Sequence, residues 1–189
     1  MSDSSNMSSH AVKPKKIWVY GFQPFLHYPE NITQKVIAQL EAEQCFGNVN
    51  YSVLAVDFQA DIFEAPLRAV QPDVVLGMGQ YPRGQKIRIE RKAFNWQRDK
   101  SNPAHAEGPI LSTGQALERP NWNIKPDTMS WRSYNAGRYV CNYSMYQLSR
   151  WARLQHFNYA FIHIPKDFCL EHAVGFVKKH LNNQGALPS

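Results

Sequence analysis

Short apolar runs of strand length alternate with stretches of helical spacing along this chain, and that alternation constrains the fold class. Ile17-Trp18-Val19-Tyr20, closed by Gly21, predicts a first strand, and Ile32 to Ala42, with Asn31 or Glu30 at its start, predicts a helix. Tyr51 to Val56 predicts a second strand, Asp61 to Val70 a helix stopped by Pro72, and Val74-Val75-Leu76-Gly77 a buried third strand. Lys86 to Glu90 alternates charged and apolar residues, as a more exposed strand does. Strands joined through helices pair in parallel, because each crossover returns the chain to the same end of the sheet. The expectation is an α/β fold: a three-layer α/β/α sandwich with helices on both faces of a mainly parallel, mixed central sheet, one strand reversed. Trp96 to Trp131 is the least regular part, with short elements hinted only at Pro109-Ile110-Leu111 and around Pro126. A connection that long inside one domain is usually a binding loop or lid.

With 189 residues, 43% of them apolar, the chain can fill one substantial core. Residues 1–15 are Ser-rich and lack the apolar stretch of a secretion signal, so they are expected to form a disordered tail ahead of a single domain over 16–189. No stretch approaches the roughly 20 apolar residues that span a bilayer, and three scattered cysteines do not make a disulfide framework. A reducing, cytoplasmic setting with no membrane partner follows. The formal charge is +6, and Arg83, Lys86, Arg88, Arg91, Lys92, Arg98 and Lys100 fall within one short span. These residues interleave with a strand pattern and no nucleic-acid motif accompanies them. A solvated basic face is therefore expected, not a nucleic-acid partner.

Cys141 stands out for its setting. It lies in Tyr139-Val140-Cys141-Asn142-Tyr143, and from Asn142 to Gln155 apolar residues recur near helical spacing, which predicts a helix whose first turn follows the cysteine. Tyr159 to Ile164 then reads as a strand ending at Pro165. A helix of about 14 residues covers roughly 21 Å and a strand of five about 17 Å, so the strand's carboxyl end returns near the helix start. His163 can then lie beside Cys141. The start of a helix also favours a thiolate and offers N–H donors to an oxyanion.

In open α/β sheets ligands bind beyond the carboxyl ends of the strands. Here those ends carry Gly21-Phe22-Gln23-Pro24-Phe25, Asp57-Phe58, Gly77-Met78-Gly79-Gln80 and His163-Ile164-Pro165, so aromatic rings, an amide and an imidazole converge on one edge. Taken alone, each has a plainer reading: Cys141 as a small core residue, Glu90 as a surface charge paired with Arg88 or Arg91, Phe22 and Phe25 as core aromatics, Gln80 as a turn residue. Cys169 and His172 stand at helical spacing, but no further ligands accompany them and no metal or cofactor is expected.

Five blocks taken together resemble the pyroglutamyl peptidase I (pyrrolidone carboxyl peptidase) family. They are Gly21 to Phe25; Gly79-Gln80 followed by Arg83; Ile89-Glu90-Arg91 with Asn95; Ala136-Gly137 with Tyr139-Val140-Cys141-Asn142; and Phe161 to Pro165. They cover roughly residues 16 to 182 in family order. The resemblance implies a cysteine exopeptidase that hydrolyses the amide bond after an N-terminal pyroglutamyl residue through a thioacyl-enzyme. It implies Cys141 as nucleophile, His163 as general base and then acid, and Glu90 as the residue that orients the imidazole. It further implies Phe22 and Phe25 around the lactam ring, Gln80, Tyr139 and Val140 lining the pocket, pyroglutamyl peptides as substrates, and a dimer or tetramer. No cofactor enters that chemistry.

The chain also departs from the family. Leu26-His27-Tyr28 follow Phe25 where two glycines are usual, which reshapes the pocket mouth. The family's oxyanion arginine is only loosely echoed by Arg98, and the segment after Pro165 is short. Two alternatives stay open on sequence alone: a triad-bearing hydrolase of another small amide or lactam, and a non-catalytic homologue with a binding role.

Overall fold

The structure is a computed structural model that describes residues 13–99 and 107–188. Most of the expected tail, and residues 100–106 of the expected long loop, lie outside the described residues.

Strand β1 (Ile17–Phe22) alternates aliphatic and aromatic residues, so it turns two different surfaces to the two sides of a sheet. It pairs in parallel with β2 (Val49–Leu54) and with β3 (Val74–Tyr81), and β3 pairs in parallel with β8 (Asn158–Pro165). Beyond β8 lie β4 (Ile87–Glu90), antiparallel to it, and β7 (Ser130–Ser133), parallel to β4. The six-stranded order is β2-β1-β3-β8-β4-β7. The sheet is mainly parallel and mixed, with two strands reversed instead of the one expected. The additional strand, Ser130-Trp131-Arg132-Ser133, has no apolar run because it is an edge.

The two faces of the sheet bury different chemistry. One is aliphatic: Val19, Leu76, Ile162 and Ile89 pack against helices α1 (Ile32–Ala42) and α4 (Leu170–Asn182). The other is aromatic: Trp18, Tyr20, Phe22, Tyr159 and Phe161 pack against α2 (Asp61–Val70) and α3 (Val140–Gln155). Three layers result, as the sequence pattern implies. Within the irregular segment, β5 (Ala93–Phe94) and β6 (Leu117–Glu118) form a small antiparallel ribbon against α3.

Several boundaries move from their expected places. β3 runs on beyond Gly77, through Gly79, to Tyr81, and β1 through Gly21 to Phe22. α3 begins at Val140, so Cys141 lies inside the first turn and not ahead of it. Tyr139 is the N-cap and makes no side-chain capping bond, which is why the helix start carries no cap signature in the sequence. The last helix starts at Leu170, two residues after Phe168.

Candidate active site

Three elements bring Cys141, His163 and Glu90 together. β8 points His163 to the aromatic face, next to Phe161 two residues earlier, and the α3 first turn lays Cys141 over that face. Gly79 is the register partner of His163 on β3, and the room over it is what the pair occupies. A Cβ on Gly79 would lie 2.7 Å from Cys141 Sγ and 3.0 Å from His163 Nε2. Only the absence of a side chain lets sulfur and imidazole meet there.

Glu90 reaches the ring from the opposite strand direction. β4 is antiparallel to β8, so Glu90 is level with Phe161, one step deeper than His163, and its Oε1 lies 2.9 Å from His163 Nδ1. Both side chains are buried, Glu90 completely. The other carboxylate oxygen, Oε2, is buried with no hydrogen-bond partner among the described residues, so the imidazole is its one polar contact there. Neither Arg88 nor Arg91 pairs with Glu90. Arg91 instead donates to the Trp122 carbonyl.

The electrostatics favour a charged ring. Burial opposes the imidazolium and is the largest single influence; the Cys141 sulfur, by its charge and a hydrogen bond, and then Glu90 outweigh it and raise the His163 pKa from 6.5 to about 10. Near neutral pH this is an imidazolium held between a sulfur and a carboxylate. At the start of α3, the amides of Val140, Cys141 and Asn142 precede the first intrahelical bond, from Tyr143 N to the Tyr139 carbonyl, so they are available to an oxyanion.

A cavity of about 570 Å³ opens over Cys141 and His163. Every pocket residue expected from sequence borders it: Phe22, Phe25, Gln80, Tyr139 and Val140. Phe25 packs against Tyr28 at 5.3 Å and Tyr139 at 6.2 Å between ring centroids, giving the β1 side an aromatic wall. Phe22 is both wall and core, edge-on to Tyr20 and Phe63. The Gln80 side-chain oxygen accepts from Ile32 N at 2.9 Å, which anchors the start of α1 and holds the amide in place. Arg98 borders the cavity too, its backbone N–H donating to the Arg138 carbonyl. Leu26, His27 and Tyr28 line the mouth, with Leu26 in the left-handed region at φ +53°.

Some contributors are not read from the sequence as parts of the site. Gly79 stands at the end of an apolar run and in one of the five blocks but receives no role from the sequence, although its placement in Gly77-Met78-Gly79 within a strand signals a close approach. Asn142 is fully buried; it accepts from Phe94 N and donates to the Phe94 and Trp96 carbonyls, tying β5 to the turn that carries Cys141. Among the described residues no group of three or more His, Cys, Asp or Glu is placed to hold a metal.

A sequence model described as pyroglutamyl peptidase (peptidase C15) matches residues 15–112, just over half the chain. The chain belongs to the pyroglutamyl peptidase family. Pyrrolidone-carboxylate peptidase of Saccharolobus islandicus is 28% identical over 167 residues, covering 79% of this chain and 78% of that protein. Its counterpart in Halalkalibacterium halodurans is 29% identical over 178 residues, covering 82% and 87%. Among solved structures, pyrrolidone carboxyl peptidase from Thermococcus litoralis superposes with a TM-score of 0.76 at 21% identity, covering 89% of this chain and 92% of that one. Bacillus amyloliquefaciens pyroglutamyl peptidase I gives 0.77 at 22%, covering 87% and 93%. These structures share the α/β fold of this pyroglutamyl peptidase family member. Membership makes the chain a cysteine peptidase. No helix among the described residues is long and apolar enough to cross a membrane.

Proposed function

We propose that Cys141, His163 and Glu90 carry out the family's reaction in this chain: removal of an N-terminal pyroglutamyl residue from a peptide. The observation that carries the substrate assignment is the charge of the cavity. An ordinary aminopeptidase must hold an α-ammonium group, yet among the described residues no Asp or Glu lines this cavity. A lactam presents no ammonium. It is compact and neutral, and suits an aromatic wall with a few directed hydrogen bonds.

Phe25, Tyr139 and Phe22 receive the ring, Val140 closes the floor, and Gln80 contributes its amide, already fixed by its bond to Ile32 N. Cys141 Sγ attacks the pyroglutamyl carbonyl carbon, and the resulting oxyanion is met by the free amides at the start of α3. The C–N bond breaks as His163 Nε2 gives its proton to the leaving amine, leaving a thioester on Cys141. His163, now neutral, takes a proton from water. The hydroxide equivalent attacks the thioester, pyroglutamate departs, and the proton returns to the sulfur–imidazole pair. Throughout, Glu90 holds the ring by Nδ1 and steadies its charge.

Cys45, Cys141 and Cys169 form no disulfide among the described residues, which suits a cytoplasmic, reducing setting where the nucleophile stays reduced. A homo-oligomer, dimer or tetramer, is part of this reading, and light scattering tests it.

Release of a fluorogenic amine from a pyroglutamyl conjugate tests the function. Cleavage by the wild type, absent in Cys141→Ala and absent with a free-amino-acid conjugate, is the expected result. A folded wild type that leaves the pyroglutamyl conjugate intact overturns the reading.

A further inference from the structure

Three arginines line the cavity, Arg88, Arg98 and Arg138, and they differ in what already holds them. Arg98 and Arg138 share one carboxylate, Glu107, at 3.5 and 3.0 Å. Arg88 has no carboxylate partner among the described residues. Its guanidinium lies 3.5 Å above the Tyr81 ring, donates to the Tyr81 hydroxyl, and stands 5.4 Å from the Trp131 ring. Aromatic faces hold the group flat and fix its direction without neutralising it. Its remaining N–H donors stay free for an anion.

The topology says which part of a substrate that anion belongs to. Arg88 is the register partner of His163, on the strand next to β8, and both side chains rise from the same face. The aromatic wall stands on the other side, at the end of β1, two strands from β8. Tyr81 is two residues beyond Gly79 on β3, about 7 Å nearer the sheet's carboxyl edge, so the guanidinium on its ring lies to the solvent side of the Cys141–His163 pair. With the lactam ring against the β1 wall, the leaving amino acid extends toward Arg88.

We propose that Arg88 selects pyroglutamyl substrates whose leaving amino acid carries a carboxylate, received in a charge-assisted pair on the guanidinium edge. The proposal rests on the pyroglutamyl peptidase reading above. The carboxylate has two sources: the free α-carboxylate of a pyroglutamyl dipeptide, one residue or about 3.8 Å past the scissile carbonyl, and an acidic side chain at that residue. Arginine suits either, because its planar fork matches a carboxylate at two points. Among the described residues no Asp or Glu lines the cavity to compete for it.

The test compares kcat/KM for pyroglutamyl-alanine, pyroglutamyl-alanine amide and pyroglutamyl-aspartic acid α-amide in the wild type, Arg88→Met and Arg88→Lys. The wild type is expected to favour a carboxylate-bearing substrate over the neutral amide by about tenfold or more, the size of a hydrogen bond to a charged group. The first and third substrates separate the α-carboxylate from the side-chain source. Arg88→Met should bring the ratio to about one, and Arg88→Lys should keep part of it. Raising the salt concentration should lower the wild-type ratio, a readout that needs no variant to fold. A wild-type ratio near one with all three substrates cleaved overturns the proposal and leaves the peptidase reading standing. So does a ratio preserved in Arg88→Met, or an equal loss on every substrate, which marks Arg88 as structural. Failure to cleave any of the three overturns the peptidase reading and the proposal with it.

Discussion

Gly79 and His163 are register partners on parallel strands, and the volume a side chain at Gly79 would fill is the volume in which the imidazole meets the Cys141 sulfur. The proposed catalytic contact therefore depends on a missing methyl group on the neighbouring strand. Gly79→Ala puts a Cβ within 3.0 Å of both His163 Nε2 and Cys141 Sγ, closer than non-bonded atoms tolerate. The strand itself is well paired on both sides, so the fold should survive with a loss of about 1–3 kcal/mol. The reacting pair should not: displacement of about an ångström can lower rate roughly 100-fold. Steady-state kinetics beside a thermal melt checks this. A variant with wild-type kcat would show that the sulfur and ring do not use that space.

Glu90 sets the pH range over which His163 stays charged. Burial opposes the charged ring and is the largest influence, but Cys141 and Glu90 together lift its pKa to about 10. In the proposed reaction the imidazolium is the acid for the leaving amine, so kcat/KM should hold through neutral pH and fall as pH approaches 10. Glu90→Gln removes the carboxylate charge, and the alkaline fall should move to lower pH. Stability follows the same sign: a folded pKa above the unfolded 6.5 means the contribution is complete below pH 6.5 and is lost as pH rises through about 10. The Tm gap between wild type and Glu90→Gln should accordingly be wider at pH 6 than at pH 10. An alkaline limb that stays in place in Glu90→Gln would sink the assignment.

The sequence carries the proposed triad clearly because each member ends or begins a regular element. His163 closes an apolar run, Cys141 opens a helical one, and Glu90 closes an alternating strand. Glycine blurs the strands themselves. Gly21 reads as a turn signal and Gly77 as the end of a strand, yet both lie inside strands where a neighbour takes the place of a side chain: a Cβ on Gly21 would meet Thr33 Oγ1 at 2.7 Å, and one on Gly77 the Tyr20 hydroxyl at 2.4 Å. β7 is illegible for a different reason, since an edge strand has no need of an apolar run. Arg88 reads from sequence as a surface charge; only the strand register places it over Tyr81 and beside His163.

Asn142 ties the first turn of α3, which carries Cys141, to β5. Its side chain makes three hydrogen bonds to Phe94 and Trp96 backbone groups, and it has no solvent exposure. Asn142→Ala leaves the Phe94 N–H and the Trp96 carbonyl without this partner, each worth about 1–3 kcal/mol when unpaired, while the Phe94 carbonyl keeps the Trp96 N–H. Stability should fall by about 2 kcal/mol in denaturant unfolding. Asn142→Asp should be no milder, because it sets a carboxylate against two carbonyl oxygens. Stability equal to wild type in Asn142→Asp would mean that β5 is not held through this side chain.

Leu26 occupies a backbone conformation that glycine adopts freely. At φ +53° an L-residue is strained by about 1–2 kcal/mol, and its side chain is half exposed at the cavity mouth, with little burial to compensate. Leu26→Gly relieves that strain while adding freedom to the unfolded chain, which offsets about 0.5–1 kcal/mol. The net gain should be on the order of 0.5–1 kcal/mol, or a rise of a few degrees in Tm for a chain of this size. The same change opens the mouth beside His27 and Tyr28, so KM for a bulky pyroglutamyl conjugate should shift more than KM for a dipeptide. A lower Tm would show instead that the Leu26 side chain contributes contacts worth more than the strain its backbone bears.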